Sequence, residues 1–380
     1  MDFDTCLVLH GIDRAKIVAA VEAEIGLQPD EVLFASGSLT SGLGNAHSDL
    51  DLFVITRRDL SARAAFGQAL TFCLGRLQVD LEFVSPSHIG DLVGRLQAGH
   101  ASVMGSEERK SLDIPPRELD FLHRILTGQP LAQVARFNDI RDTINGDQLR
   151  AVIVARSSVI AGSEQEDLVG YLQEGDFDSA RFAGARMLGA ALDACLAALG
   201  NTMVKEKWRT RLAQRLAIPG WDDDFPGGPV LPSLGAAFCA LHDWPCNHAQ
   251  VASHACALVR FVNRCIPWSQ RRVYGMAPIR GERLPLPGGG EGETLPHIAS
   301  HVMLRYRERE LFAFSFSHPT VLSLDFRAHD AIASFDGGTS PVSLAERMAS
   351  SAALSADAAR RSVDLLSKVL FAAGFLDMAA

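Results

Sequence analysis

The sequence predicts an α/β (α+β) domain built on a mixed sheet, followed by an α-helical bundle and then a small domain of β-hairpin and helices. Three observations carry that reading. Residues 31–56 and 79–84 read as buried strands around a glycine-bearing turn, and residues 115–275 carry apolar side chains at three- and four-residue steps. Residues 275–296 are a run of glycine and proline beyond which the pattern changes. The expected boundaries are therefore 1–112, 113–274, a linker at 275–296, and 297–380.

In the first domain, Glu31 to Ser36 reads as a strand running straight into Gly37-Ser38. Glycine there lets the backbone come close to a phosphate, and Ser38 offers a hydroxyl. The next strand opens Ser48-Asp49-Leu50-Asp51-Leu52. Side chains alternate along a strand, so Asp49 and Asp51 project from one face about 6–7 Å apart along the backbone. Two carboxylates on a rigid strand suit Mg²⁺, which takes hard oxygen ligands and fills its other positions with water or substrate phosphate. The implied substrate is a nucleoside triphosphate. Ser61 to Gln78 shows helical periodicity, and Val79 to Val84 reads as a third strand with Asp80 and Glu82 on alternate positions. A third carboxylate can thus reach the same spot.

Strand, Gly-Ser turn, Asp-x-Asp strand, helix, then a strand with hydrophobic-Asp-hydrophobic resembles the polymerase-β-like nucleotidyltransferase superfamily over residues 15–100. The form of the motif is most similar to aminoglycoside adenylyltransferases and small bacterial nucleotidyltransferases. The resemblance implies that Gly37 and Ser38 contact the triphosphate and that Asp49, Asp51 and Asp80 hold two Mg²⁺ ions, or Mn²⁺ in their place. Asp80 then helps to deprotonate the acceptor, a role that Glu82 on the same strand face could share or take over. With two metal ions clamping the α-phosphate, the product is a nucleotidylated acceptor.

Composition fits an enzyme with ample core. The chain has 380 residues, 47% hydrophobic and 21% charged, so it can fill two or three domains. No run of eighteen apolar residues appears, and the N-terminus carries Asp2 and Asp4 rather than a basic then apolar signal. The expectation is a cytosolic protein without a membrane partner. Seven cysteines with no Cys-x-x-Cys pair read as free thiols. Cys239, His242, Cys246 and His248 have the ligand types of a zinc site, but Pro245 interrupts them and the spacing of a zinc ribbon is missing. A net charge of −9 argues against general affinity for nucleic acid, since phosphate neutralisation needs clustered Lys and Arg.

The helical middle includes Ser179 to Leu199, with Phe182, Ala185, Met187, Leu188, Ala191, Leu192 and Cys195 on its apolar stripe. Lys205 and Lys207 follow the Gly200-Asn201 break, in Lys-Glu-Lys-Trp. A Lys-Trp after a long helix is similar to the aminoglycoside adenylyltransferases, which implies that Lys205 or Lys207 reaches the β- and γ-phosphates. As solvated helix charges they would need no such role. Asp176, Asp178 and Asp193 serve equally as pocket acids or as helix caps.

After the Gly/Pro segment, His301 to Arg307 and Leu311 to Ser317 read as two strands, with a third extended piece at Val321 to Leu324. Helices are expected at Ala328–Phe335, Ser343–Ala349 and Asp357–Ala373, the last ended by Gly374. A hairpin with three helices is a winged helix-turn-helix plan. Its near balance of acidic and basic residues disfavours DNA. Element order and the stretch from Phe335 to Glu346 resemble the leader-peptide recognition domains of enzymes that modify ribosomal peptides. That resemblance implies a peptide added as a strand along Val321, Leu322, Ser323 and Leu324 and packed on the last helix at Leu366 and Leu370. Generic interaction or dimerisation would use the same surface.

Two function classes follow. One is a nucleotidyltransferase that moves a nucleoside monophosphate, most simply AMP, to a hydroxyl or similar group of a small molecule or peptide. The other is a catalytically silent nucleotide-binding scaffold or sensor working through its C-terminal domain. An aminoglycoside-type resistance adenylyltransferase and a nucleotide second-messenger synthase are rivals within the first class.

Overall fold

The computed structural model describes residues 1–60, 69–105, 107–215, 234–275, 294–307, 310–315, 318–325, 328–335, 337–352 and 354–377. The chain divides into two compact units. The first comprises Met1–Ala101 with Asp113–Leu149, the second Ser102–Leu112 with Arg150–Ala380.

The first unit opens with two short helices, α1 (Phe3–His10) and α2 (Arg14–Ile25). Each starts at an aspartate whose carboxylate accepts from a backbone N–H at 2.8 Å, Asp2 from Thr5 and Asp13 from Lys16. Such caps satisfy donors that have no partner within the helix. The sheet follows, with β1 (Val32–Ser36), β2 (Leu50–Ile55), β3 (Ala69–Leu74) and β4 (Leu77–Val84). Beyond it come α3 (Pro86–Met104), α4 (Pro116–Thr127), β5 (Gln129–Ala132) and α5 (Val134–Asp142).

The five strands lie in the order β3-β4-β2-β1-β5, mixed because β2 and β4 run parallel while the other pairs are antiparallel. Leu50, Leu52, Val54, Val79 and Leu81 face one side and pack with Phe3, Ile17 and Val21 of α1 and α2. On the other side Phe34 stacks on Phe53 with centroids 5.1 Å apart, and Phe137 of α5 and Phe121 of α4 close over them. Period-two alternation thus separates an aliphatic face from an aromatic one.

One element departs from the sequence expectation. Ser61 to Gln78 reads as helical, yet Ala69–Leu74 is a strand and Leu77 begins the next; residues 61–68 lie outside the described residues. Leu74 pairs with Leu77, so Gly75 and Arg76 form a two-residue hairpin turn, and Gly75 takes φ 65°. That turn needs positive φ, which glycine adopts without strain. Half-buried Leu70, Phe72 and Leu74 alternate with exposed Thr71 and Cys73, the period of a strand.

The second unit contains α6 (Gly146–Glu174, which begins in the first unit), α7 (Phe177–Ala198), α8 (Arg209–Arg215), α9 (Leu234–His242) and α10 (His248–Val273). Met187, Leu188, Ala191, Leu192 and Cys195 are buried on α7 as their spacing requires, whereas Phe182 stays 76% exposed. The segment read as a linker falls mainly on 276–293, outside the described residues. All seven cysteines are free thiols.

After β6 (His297–Ile298), three antiparallel strands follow in spatial order, β7 (Met303–Arg307), β8 (Glu310–Ser315) and β9 (His318–Asp325). Then come α11 (Ala328–Ala333), α12 (Pro341–Ala352), α13 (Ala356–Ala372) and β10 (Leu376–Asp377), which pairs back to β6. Leu304, Tyr306, Leu311 and Ala313 form a core with Ile332, Phe335, Leu344, Val363 and Leu370. The outer edge of β7 is closed by side chains rather than by a strand. Asn263 of α10 donates to Val302 O (2.7 Å) and accepts from Leu304 N (3.2 Å), and Gln270 Oε1 accepts from Tyr306 N (2.9 Å). Asn263 and Gln270 are seven residues apart, about two helical turns, so both reach the same strand edge.

Candidate functional site

Strand register lines up Ser36, Asp51, Asp80 and Thr71 as partners across β1, β2, β4 and β3. Side chains at paired positions share a face, so this row lies on the aromatic side of the sheet. Asp49 stands two residues before Asp51, just ahead of β2, and its carboxyl hydrogen-bonds that of Asp80. Burial, with the negative charges of Asp51 and Asp80, pushes the Asp49 carboxyl above its ordinary pKa. Like charges brought together have this effect whenever no cation balances them.

Each of the other carboxylates is held from the side. Thr71 Oγ1 donates to Asp80 Oδ1 at 2.8 Å, and Gln78 Nε2 lies at 3.4 Å from the same oxygen. Arg124 of α4 donates from Nη1 to Asp51 Oδ1 at 3.1 Å and from Nε to Asp120 Oδ2 at 2.8 Å. Its guanidinium sits 5.2 Å from the Phe53 ring centroid, and its carbonyl accepts from Ser36 Oγ at 2.9 Å. Burial works against the charge of Arg124, but Asp51 and Asp120 outweigh it and hold the group firmly protonated. Sequence reasoning missed Arg124. Its signal is the Asp120–Arg124 pair at i,i+4 on the helix leading into β5.

The turn after β1 comes very close to Asp51. Gly37 has φ 90°, and a Cβ there would fall onto Asp51 Oδ2. The Ser38 carbonyl accepts from Leu43 N (2.8 Å) and Gly44 N (3.0 Å), fixing the loop. Gly37, Asp49, Asp51 and Asp80 are therefore brought together by this unit, with Ser38 adjacent. Glu82 lies on the same face of β4, but its register partner on β2 is Phe53 rather than an acid.

The remaining sequence candidates lie in the second unit. Lys205 is half-buried and precedes the turn at Glu206–Trp208, while Lys207 is exposed with its ammonium 5.3 Å from the Trp208 ring centroid. Asp193, which could have lined a pocket, is instead bound by both arms of Arg209 at 2.9 and 2.7 Å. On β9, Val321 is 59% exposed, Leu322 and Leu324 pack on the core, and Ser323 donates to Glu310 at 2.5 Å. Leu366 is partly buried against the same core, but Leu370 is wholly buried within it and offers no surface. Leu370 was expected on a peptide-facing surface. It turns inward because α13 has to cover the sheet.

Among the described residues no three His, Cys, Asp or Glu side chains stand together as a ready metal group, and Asp51 Oδ1 is engaged by Arg124. Cys239 and Cys246 are exposed, and the side chain of His248 lies outside the described residues. The donor chemistry of Asp49, Asp51 and Asp80 still suits a hard cation, since all are carboxylates, and burial together with the neighbouring negative charges has raised Asp49. Among the described residues no helix is long and apolar enough to cross a membrane.

No protein-family model matches the chain, and no curated protein does. Among solved structures, a nucleotidyltransferase-like protein from Exiguobacterium sibiricum 255-15 is similar over 68% of this chain and 77% of its own. The identity is 14% and the TM-score 0.36, a loose likeness.

Proposed function

We propose that the first unit is a nucleotidyltransferase. It transfers a nucleoside monophosphate, most simply AMP, from a nucleoside triphosphate to a hydroxyl or similar group on a small molecule or peptide, releasing pyrophosphate. The observation that carries this reading is the convergence of Asp49, Asp51 and Asp80 at one end of a mixed sheet, beneath the Gly37-Ser38 turn.

In this reading Asp49, Asp51 and Asp80 hold Mg²⁺ or Mn²⁺. The metal would lower the pKa of the attacking hydroxyl and neutralise the leaving pyrophosphate. Gly37 lets the Asp51 carboxylate pack against the backbone of the turn, and Ser38 supplies a hydroxyl to the triphosphate. Asp80 takes up the acceptor proton. Its place opposite Asp51 favours it over Glu82, and Thr71 and Gln78 hold one of its oxygens. Arg124 orients Asp51 through the Nη1 bond, leaving Oδ2 toward Gly37. Chemistry of this kind asks mainly for positioning and fixed charge. A peptide acceptor would add along β9, whose outer edge has no partner among the described strands.

The test is transfer of label from each α-labelled nucleoside triphosphate with Mg²⁺, in extract separated into small-molecule, peptide and macromolecular fractions. Label is expected with the wild-type chain and at least a hundredfold less with Asp49→Asn or Asp51→Asn, both still folded by circular dichroism. Equal labelling by wild type and both variants would overturn the site, and triphosphate binding without any transfer would favour a sensor or scaffold.

A further inference from the structure

The second unit carries a pocket of about 1060 Å³, partly open to solvent, that nucleotidyl transfer does not use. Its walls are α6 around Ser158–Glu166, the segment Val103–Leu112, and one face of the sheet β7-β8-β9. Strand pairing explains that face. Met303 lies opposite Phe314, Arg305 opposite Phe312, and Phe314 opposite Val321, so these side chains project together. The other face is already spent on the core under α11 to α13. The size is slightly above the range of about 300–1,000 Å³ usual for small-molecule pockets.

Three arginines line this mainly apolar surface, Arg109, Arg186 and Arg305; the first two are exposed, and only the guanidinium of Arg305 is buried. Arg305 is 7% exposed, and its hydrogen bonds go to two carbonyls, Leu304 O at 2.7 Å and Ser158 O at 3.5 Å. Two bonds leave most of its five N–H groups uncommitted. Among the described residues no carboxylate is within ion-pair distance of it; Glu108 acts on it only through space. Glu108 is itself occupied, accepting from Gln270 Nε2 at 2.8 Å, Tyr274 Oη at 3.1 Å and Ser158 Oγ at 3.5 Å. Burial pulls Arg305 down to about 10, the mark of a cation without a direct counter-ion. Two further acids of the lining are matched by cations, Glu164 by Arg186 at 2.8 Å and Glu107 by Lys110 at 2.6 Å. On α6, Gly162 presents no side chain toward Arg305. A Cβ there would meet only Met303 Sδ at 3.4 Å and Arg305 Nη2 at 3.6 Å.

A buried cation on an apolar wall is costly unless a partner of opposite charge satisfies it. We propose that this pocket binds a small organic carboxylate with an apolar body, its anion on Arg305 and its body against Met303, Phe312 and Phe314. The site is independent of nucleotidyl transfer, and either can fail without the other.

The experiment is isothermal titration of the full chain with three probes of one shape, 4-phenylbutyrate, 4-phenylbutan-1-ol and 4-phenylbutylamine. The acid is expected to bind at least tenfold more tightly than the alcohol or the amine. Arg305→Met should reduce the acid's affinity at least tenfold and leave the alcohol's within twofold. Gly162→Leu keeps the guanidinium but takes up space, and its neighbours are flexible side chains, so it should fold and weaken acid and alcohol alike. The proposal is overturned if the wild-type chain binds none of the three, if acid and alcohol bind equally, or if Gly162→Leu leaves both affinities unchanged.

Discussion

At Gly37 two constraints meet in one residue. The backbone takes φ 90°, and the space where a Cβ would go is filled by Asp51 Oδ2. Positive φ alone costs an L-residue about 1–2 kcal/mol. Gly37→Ala must also displace a carboxylate that Arg124 holds at 3.1 Å. The expected result is a stability loss beyond that conformational cost, together with loss of nucleotidyl transfer, read by urea denaturation and by the labelling assay. An alanine variant of wild-type stability and activity would show that Asp51 is free to move. A contrasting residue is Asp193, whose buried carboxylate is bound on both oxygens by Arg209 and so belongs to the scaffold.

Among the elements, the hairpin of β3 and β4 links fold to site. It carries Thr71 to Asp80 at 2.8 Å, and β4 in turn sets Asp80 opposite Asp51. Its turn depends on Gly75 at φ 65°, where a Cβ would touch nothing within 4 Å. Gly75→Val therefore isolates the conformational term, and a loss of about 1–2 kcal/mol in urea denaturation is expected. An unchanged midpoint would mean that the turn tolerates another geometry. The edge of β7 is managed differently. Asn263 and Gln270 take its backbone bonds, so strand addition is left to β9.

For the molecule as a whole, the division into two units gives a built-in probe. Among the described residues the tryptophans are Trp208, Trp244 and Trp268, and all three belong to the second unit, so their fluorescence follows that unit. In it His329 is 3% exposed, with its Nε2 at 3.1 Å from the Asn263 carbonyl, which the neutral ring can donate to. Burial lowers its pKa from 6.5 to about 4, against the opposing pull of that hydrogen bond and with help from the charges of Arg271 and Arg264. Between these values the unfolded chain binds the proton and the folded chain does not. The contribution of neutral His329 is thus complete above pH 6.5 and is lost as pH falls toward 4, by up to about 3 kcal/mol. Urea denaturation followed by tryptophan fluorescence at pH 7 and pH 4.5 should show this loss, and His329→Phe should flatten it. An equal acid slope in the variant would assign the loss to other groups.

The sequence by itself determined the strands around Asp49 and Asp51, the strand bearing Asp80, the apolar stripe of α7 apart from exposed Phe182, and the order of strands and helices from Met303 to Ala372, but not the short strands β6 and β10. These are set by local periodicity and by turn residues such as Gly37 and Gly374, which act within a few positions of the chain. Ala69–Leu74 was misread because a short apolar run fits helical and strand periods alike, and only pairing with Leu77–Val84 selects the strand. Arg124 on Asp51 spans 73 residues, and the pocket around Arg305 needs residues from 103 to 321. Such groupings have no local signature. Tertiary structure alone decided them, because burial and charge at one point depend on segments that the chain order keeps far apart.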